Sequence, residues 1–400
     1  MKIFAILPLC VSFALAILPN ENLSSGKPAH LASGQNSYLT DGSLTNWKSV
    51  SAKDIAIPVG KGASKLFVSW ELYANGEVGW GNYTSNCAHT TTTLSDFSIL
   101  TSGNSTTGLD GDWDTAYVIT GNEVLSRGVN IDFAEKSWIR FSSEKEMKSF
   151  LEIEVFDVTN GSEDTWFFMG TSISQMGLKQ QESDTTKTTA ALIHEKFPDH
   201  TPAMLRGGIG CINSDEVVAH LPQYLENVGN VHFWAIEMGT NDAWGGGDWN
   251  LQNYIQNMQI IIDSAKAHGI TPIIARIIAT DSAKATWQVN PLYLNALDSL
   301  VEVNKLPKGP DFFSYFKEHP ELLASDGVHP NAETGGGSAM HRLWADALTP
   351  LYEETSSLHR PQKGKQAKSI AKVLVRDGAF EVQMQGKRFD LSGRKIQPAN

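Results

Sequence analysis

Four short stretches of this chain carry residues whose types and spacing could do chemistry together. In Gly170-Thr171-Ser172-Ile173-Ser174 a hydroxyl follows directly on a run of large apolar residues. Arg206-Gly207-Gly208-Ile209-Gly210 offers backbone N–H groups unobstructed by side chains, and Gly239-Thr240-Asn241-Asp242 a side-chain amide. Ser325-Asp326-Gly327-Val328-His329-Pro330 sets a carboxylate three residues ahead of an imidazole. Acyl transfer needs these parts. A serine hydroxyl is a poor nucleophile at neutral pH and requires an adjacent base. Histidine is suited to take its proton near pH 7. In this reading His329 is the base, and Asp326 turns back within the same loop to hold the imidazole tautomer and stabilise the imidazolium. The oxyanion of the tetrahedral intermediate needs donors already aimed at it. The candidates are the backbone N–H of Ser172, the backbone N–H of Gly210 and the Asn241 side chain, with Gly207 and Gly208 competing for the glycine's place.

A parallel sheet would position them. From Asp164 the chain alternates strand and helix patterns, with strands expected at 166–169, 203–205, 232–238, 272–278 and 311–313. Helices are expected at 190–197, 217–225, 251–267, 292–303 and 340–352, with Gly335-Gly336-Gly337 as a flexible loop before the last. The helix at 251–267 is the clearest: Ile255, Met258, Ile261 and Ile262 share one face, and Gly269 stands at its C-terminal end. All four stretches follow expected strands, and an open parallel sheet gathers its site past the carboxyl ends of its strands.

In this order the stretches resemble the blocks that name the SGNH (GDSL-type) hydrolase family, over roughly residues 164–352. Ser172, Gly210, Asn241 and His329 match the four positions, and Asp326 completes an Asp-x-x-His element. Gly210 is preferred to its neighbours because it falls where the block's second glycine does. The resemblance implies a flavodoxin-like α/β/α domain at 163–355 with a parallel five-stranded sheet, ester hydrolysis through an acyl-serine intermediate, and no cofactor. Thr171 departs from it, since the family usually has aspartate before the serine. No H-E-x-x-H or C-x-x-C spacing occurs, so no catalytic metal is implied.

Residues 20–158 read as an all-β sandwich, with short strand candidates such as 65–73 and 151–156 between clusters of Gly, Asn, Ser and Thr. The opening Asn22-Leu23-Ser24-Ser25-Gly26-Lys27-Pro28-Ala29 and the closing Leu151-Glu152-Ile153-Glu154-Val155-Phe156 resemble those of galactose-binding-like, discoidin-type jelly rolls. Such a module either binds sugar or buttresses the enzyme beside it. Trp47, Trp80 and Trp113 could accordingly stack on a pyranose ring or serve the core.

The 400 residues, 41% hydrophobic and 19% charged, are enough for two cores. A net charge of −12 argues against a nucleic-acid partner. From Arg360 onward ten basic residues face three acidic ones, so a tail of +7 follows a chain of −19. Residues 1–16 read as a secretory signal, with Lys2, an apolar run and Ala14-Leu15-Ala16 as cleavage site. That run is too short to span a bilayer, and no later stretch is apolar enough to do so. An exported chain would lose Cys10 and keep Cys87 and Cys211, expected as buried thiols in different domains. Residues 356–371 read as a polar linker. Residues 372–400 form a basic, β-like tail that resembles the C-terminal extensions and sorting-type tails of some secreted bacterial polysaccharide-degrading enzymes. It would meet an acidic surface or sorting machinery, or remain solvated without a partner.

The combination of jelly roll, SGNH-like domain and basic tail resembles secreted enzymes that remove acetyl groups from plant polysaccharides such as xylan. The loop at 243–249 could set Trp244 and Trp249 at the pocket mouth as platforms for sugar rings, or pack them beneath the loop. A GDSL-type lipase, lysophospholipase or short-chain esterase is the second reading; a lipase would want an apolar acyl groove or lid, and no amphipathic lid-like insert is evident. The third is a carbohydrate-binding protein with a silent hydrolase domain, against which the intact Ser172, Asp326 and His329 count.

Overall fold

The computed structural model describes residues 17–44, 48–73, 80, 96–179, 186–359, 372–376, 379–384 and 387–390. The expected signal at 1–16, Trp47, Cys87 and the expected linker from residue 360 to 371 lie outside them. Two compact units result, one up to Thr355 and one from Ser356.

The site is carried by five parallel strands, β1 (Thr165–Gly170), β2 (Ala203–Gly208), β3 (Phe233–Glu237), β4 (Thr271–Arg276) and β5 (Lys308–Asp311), in the order β2-β1-β3-β4-β5. The order reverses beside β1, which makes its carboxyl end the crevice of a doubly wound sheet. Every residue of β1 is buried, as expected of a central strand covered on both faces. Trp166 stacks on Phe233 at 4.0 Å, and Phe168 meets Trp344 edge-on at 5.3 Å.

Eight helices accompany these strands among the described residues: α1 (Ser172–Gly177), α2 (Thr189–Lys196), α3 (Ser214–Ala219), α4 (Leu221–Val228), α5 (Leu251–Ala267), α6 (Pro291–Asn304), α7 (Phe312–Glu318) and α8 (Gly336–His359). The helix α5 has the bounds its periodicity predicts. Elsewhere local chemistry corrects the expectation. The single helix expected at 217–225 is two, because Pro222 has no N–H to continue α3, while a reciprocal cap between Asn213 and Glu216 starts α3 early. The strand expected at 311–313 ends at Asp311, whose side chain accepts the Ser314 N–H at 2.9 Å and caps α7. The three glycines are no loose loop: α8 starts at Gly336, where a Cβ would lie 2.4 Å from the Leu322 carbonyl oxygen. It continues through Pro350 to His359, into the expected linker.

Among the described residues the preceding part is an antiparallel sheet of nine strands. Its longest, Trp138–Asp157, pairs with Val50–Pro58, Lys65–Leu72 and Phe97–Ser102. Trp70, Phe97, Phe141 and Phe150 form an aromatic cluster with ring centres 5.3 to 5.9 Å apart. This part also covers the free edge of β2, an edge that would otherwise invite pairing with another chain. The Arg206 N–H donates to Glu71 Oε1 at 3.3 Å, the Arg206 guanidinium reaches Glu71 Oε2 at 3.2 Å, and the Trp80 N–H donates to the Gly208 carbonyl at 2.8 Å. Trp80 is therefore a wedge and not a sugar platform: it is 2% exposed, stacks on Tyr224 at 4.9 Å, and its indole donates to the Ser126 carbonyl at 2.6 Å. Trp113 has the Arg140 guanidinium over its ring at 4.2 Å.

Cys211 is disulfide-bonded, with its partner outside the described residues, and is not the free thiol the sequence suggested. The second unit contains a three-stranded antiparallel sheet, Lys372–Arg376, Ala379–Met384 and Lys387–Asp390.

Burial shapes the pH response of the first unit. Glu152, Glu237 and Asp242 are buried, and desolvation pushes their carboxyls up, Glu237 to about 7 and Asp242 to about 6. A carboxyl raised in the folded state holds a proton the unfolded chain has already lost, so stability falls as pH rises through the folded value. Buried His341, lowered to about 4 mainly by desolvation, acts in the opposite sense but only below its ordinary value of 6.5. Unfolding free energy is thus expected to drop by about 1–3 kcal/mol between pH 6.5 and 8.5. Denaturant titration at the two pH values tests this, and equal stability would contradict it.

Candidate active site

The four stretches meet at the carboxyl edge of the sheet, beside β1. Thr171 caps α1, its Oγ1 accepting the Ile173 N–H at 3.1 Å, and this turn places Ser172 at the first helical position. Ser172 Oγ lies 2.8 Å from His329 Nε2, and His329 Nδ1 lies 2.7 Å from Asp326 Oδ2. Asp326 Oδ1 meanwhile accepts the backbone N–H groups of Val328 at 2.8 Å and His329 at 3.1 Å. The three-residue spacing thus lets one carboxylate build its own turn and face the ring. Partial burial pushes the Asp326 carboxyl up, but the hydrogen bonds from the His329 ring and the two N–H groups outweigh it and hold the group below the usual carboxylate range. An ionised Asp326 keeps the ring proton on Nδ1, which leaves the Nε2 lone pair for the Ser172 hydroxyl.

The loop after β2 closes over the end of β1, with the Ile209 N–H donating to the Gly170 carbonyl at 2.9 Å. Gly208 permits the close approach of α1, since a Cβ there would lie 2.3 Å from the Gln175 backbone nitrogen. Gly210, two residues on, faces the same helix; its Cβ would come 3.0 Å from Gln175 Oε1. Asn241 Nδ2 donates to the Ile212 carbonyl at 2.7 Å and so ties the loop after β3 to the loop after β2. An amide nitrogen carries two hydrogens; this bond fixes the plane of the amide and uses one of them. Asp242 anchors the same loop from below: its Oδ1 accepts Ser214 Oγ at 2.5 Å and Asn250 Nδ2 at 3.2 Å, and its carbonyl accepts the Tyr293 hydroxyl at 2.9 Å. For the oxyanion role expected of Asn241, Asn241→Ala should lower kcat by about 10²–10³-fold with little change in KM. A loss of less than about threefold in steady-state assays would remove Asn241 from the oxyanion donors.

Trp244 and Trp249 lie in the loop that follows Asn241 and are 49% and 69% exposed, so neither is packed beneath it. The Trp249 indole donates to the Trp244 carbonyl at 3.3 Å, and the Trp244 ring rests 4.9 Å from Trp287.

Sequence reasoning passed over Glu237. At the end of β3 its Oε2 accepts the Thr171 N–H at 3.1 Å, the Thr171 hydroxyl at 2.9 Å and the Ser174 hydroxyl at 3.1 Å. Burial pushes its carboxyl up to about 7 against the pull of those bonds. The signal was present in the chain: one acidic residue interrupts an otherwise apolar strand, Phe233-Trp234-Ala235-Ile236-Glu237-Met238. Among the described residues no group of three or more His, Cys, Asp or Glu side chains is placed to hold a metal ion, and no helix is long and apolar enough to cross a membrane.

Comparison with protein-family models and with curated proteins returned no match. Among solved structures the chain is similar to a lipase/acylhydrolase from Enterococcus faecalis, at 15% identity over 46% of this chain and 95% of that one, with a TM-score of 0.37. It is similar to an acetylxylan esterase from Geobacillus stearothermophilus at 18% identity, over 47% of this chain and 93% of that one, with a TM-score of 0.35. A third likeness is to an alpha/beta hydrolase from the metagenome of Lake Arreo, Spain, at 15% identity over 48% and 95% of the two chains, with a TM-score of 0.36. At these values the functional case rests on the site's own geometry.

Proposed function

We propose that this chain is a serine ester hydrolase of the SGNH type. The observation that carries the reading is the continuous relay from Ser172 Oγ through His329 to Asp326, with links of 2.8 and 2.7 Å. Ser172 Oγ attacks the ester carbonyl as His329 Nε2 takes its proton. The oxyanion is met by the N–H groups of Ser172 and Gly210 and the Asn241 amide. Collapse expels the alcohol, which receives the proton from His329; water then attacks the acyl-serine by the same base and releases the acid.

The substrate in this reading is an O-acetylated, xylan-like plant polysaccharide, and the enzyme is exported. Support comes from Trp244 and Trp249, whose exposed rings border the Asn241 loop and present flat apolar faces of the kind sugars stack on. The signal-like first sixteen residues and the basic tail are consistent with export, and the antiparallel part, a jelly roll in this reading, acts as a brace on β2. The test is acetate release from acetylated xylan beside a series of simple esters of increasing acyl length. Acetate release with a steep fall beyond the shortest esters supports the reading. Preference for long acyl chains would replace it with a lipase or lysophospholipase, and turnover of simple esters alone would discard xylan.

A further inference from the structure

We propose that Glu237 is the positioning residue of the nucleophile, its carboxylate clamping both sides of the turn that presents Ser172; the role rests on the esterase reading above. Three donors converge on one oxygen. Two come from Thr171, immediately before the serine, and one from Ser174, two residues after it. The flanking residues are thereby tied to β3 while Ser172 itself is left to face His329. Gly170 makes room for the clamp: a Cβ there would lie 2.1 Å from Ser174 Oγ and 3.1 Å from Glu237 Oε2.

This arrangement is costly for a purely structural device. Glu237 is 1% exposed, and its second oxygen, Oε1, has no hydrogen-bond partner among the described residues. Taking a carboxylate out of water costs several kcal/mol unless its lone pairs are met, and well-packed apolar residues often serve stability better. What the carboxylate supplies is a charged acceptor, whose hydrogen bonds are about twice as strong as neutral ones. A hydroxyl placed within hydrogen-bond reach of its base gains rate from fixed geometry, and a misplacement of about 1 Å can cost 10²-fold. Thr171, where an aspartate was expected, fits the same scheme, with the acid supplied by the neighbouring strand.

The clamp has a pH signature. Burial raises the Glu237 carboxyl against the pull of the Thr171 and Ser174 hydrogen bonds. The titratable group that feels it from α5 is Tyr254, whose phenol burial, Asp242 and Glu237 push well up, so that it stays neutral alongside the clamp. As pH falls through about 7 Glu237 takes a proton, its bonds lose their charge assistance, and the turn loosens. This adds a component near pH 7 to the acid side of the rate profile.

The test compares the unaltered chain with Glu237→Gln and Glu237→Leu. It reads kcat per active site titrated with a fluorophosphonate, KM for a short acyl ester, the pH profile and the melting temperature. Gln keeps an acceptor without the charge; kcat should fall about three- to tenfold at unchanged KM, and the component near pH 7 should vanish. Leu removes the acceptor, and kcat should fall about 10²-fold. A folded Leu variant with kcat per site within about twofold of the unaltered chain would overturn the proposal. So would a Gln variant that retains the pH 7 component, which decides the matter if the Leu variant does not fold. Absence of Ser172-dependent turnover in the unaltered chain would overturn the esterase reading and this inference with it, whereas normal turnover insensitive to Glu237 overturns the inference alone.

Discussion

Ser172→Ala is expected to lower kcat/KM for a short acyl ester by about 10⁴- to 10⁶-fold. The substitution removes one oxygen from a partly exposed position at the start of α1. It leaves the Thr171 cap and the Glu237 bonds in place, so the fold should be unaffected. What survives is the contribution of the oxyanion donors and of substrate binding, which alone exceed the reaction in water by about 10³–10⁴-fold in comparable sites. Steady-state kinetics, with fluorophosphonate labelling as a second readout, would decide it. Equal turnover by the two proteins would remove Ser172 from the chemistry and force a search for another nucleophile.

Asp326→Asn should cost nearly as much, about 10³–10⁴-fold in kcat, although it changes only one atom. The Asn carbonyl can still accept from Val328 and His329, as Asp326 Oδ1 does at 2.8 and 3.1 Å. That leaves its amide N–H aimed at His329 Nδ1. The ring proton must then move to Nε2, where it donates to Ser172 Oγ and cannot accept from it. The Asp326 side chain is 49% exposed, so water can partly substitute for the lost carboxylate, and the lower end of the range is the reasonable expectation. A loss of less than about tenfold would show that the loop, and not the charge, sets the tautomer. Comparing Asp326→Asn with Asp326→Ala separates the two, because only the former forces the wrong tautomer.

Much of this site was legible from residue order. A strand, a glycine and a serine mark a nucleophile turn because an apolar run cannot continue through them. Asp326 and His329 announce each other because three residues is the spacing at which a carboxylate can accept the backbone N–H of the ring it also orients. Expectations failed where a local signal had two readings. Phe312 and Phe313 suit a strand as well as a helix, and only the cap from Asp311 decides between them. Trp80 suits a binding face as well as a core until Tyr224 and Gly208 are seen against it.

By itself the sequence picked out Ser172, His329 and Asp326, which the fold brings within hydrogen-bond reach of one another, the alternation of strand and helix from Asp164, and the span of α5. These rest on periodicity and short-range turn chemistry, which act within a few residues and need no knowledge of what packs where. Tertiary structure alone decided that Glu237 lies beneath a turn 66 residues earlier, that the Asn241 amide is tied to the Ile212 carbonyl, that Cys211 is bonded, and that Trp244 and Trp249 face solvent while Trp80 does not. Each depends on segments distant in the chain meeting in space. Side-chain type says what a residue can donate, accept or bury, and only the packed fold says which partner is within reach.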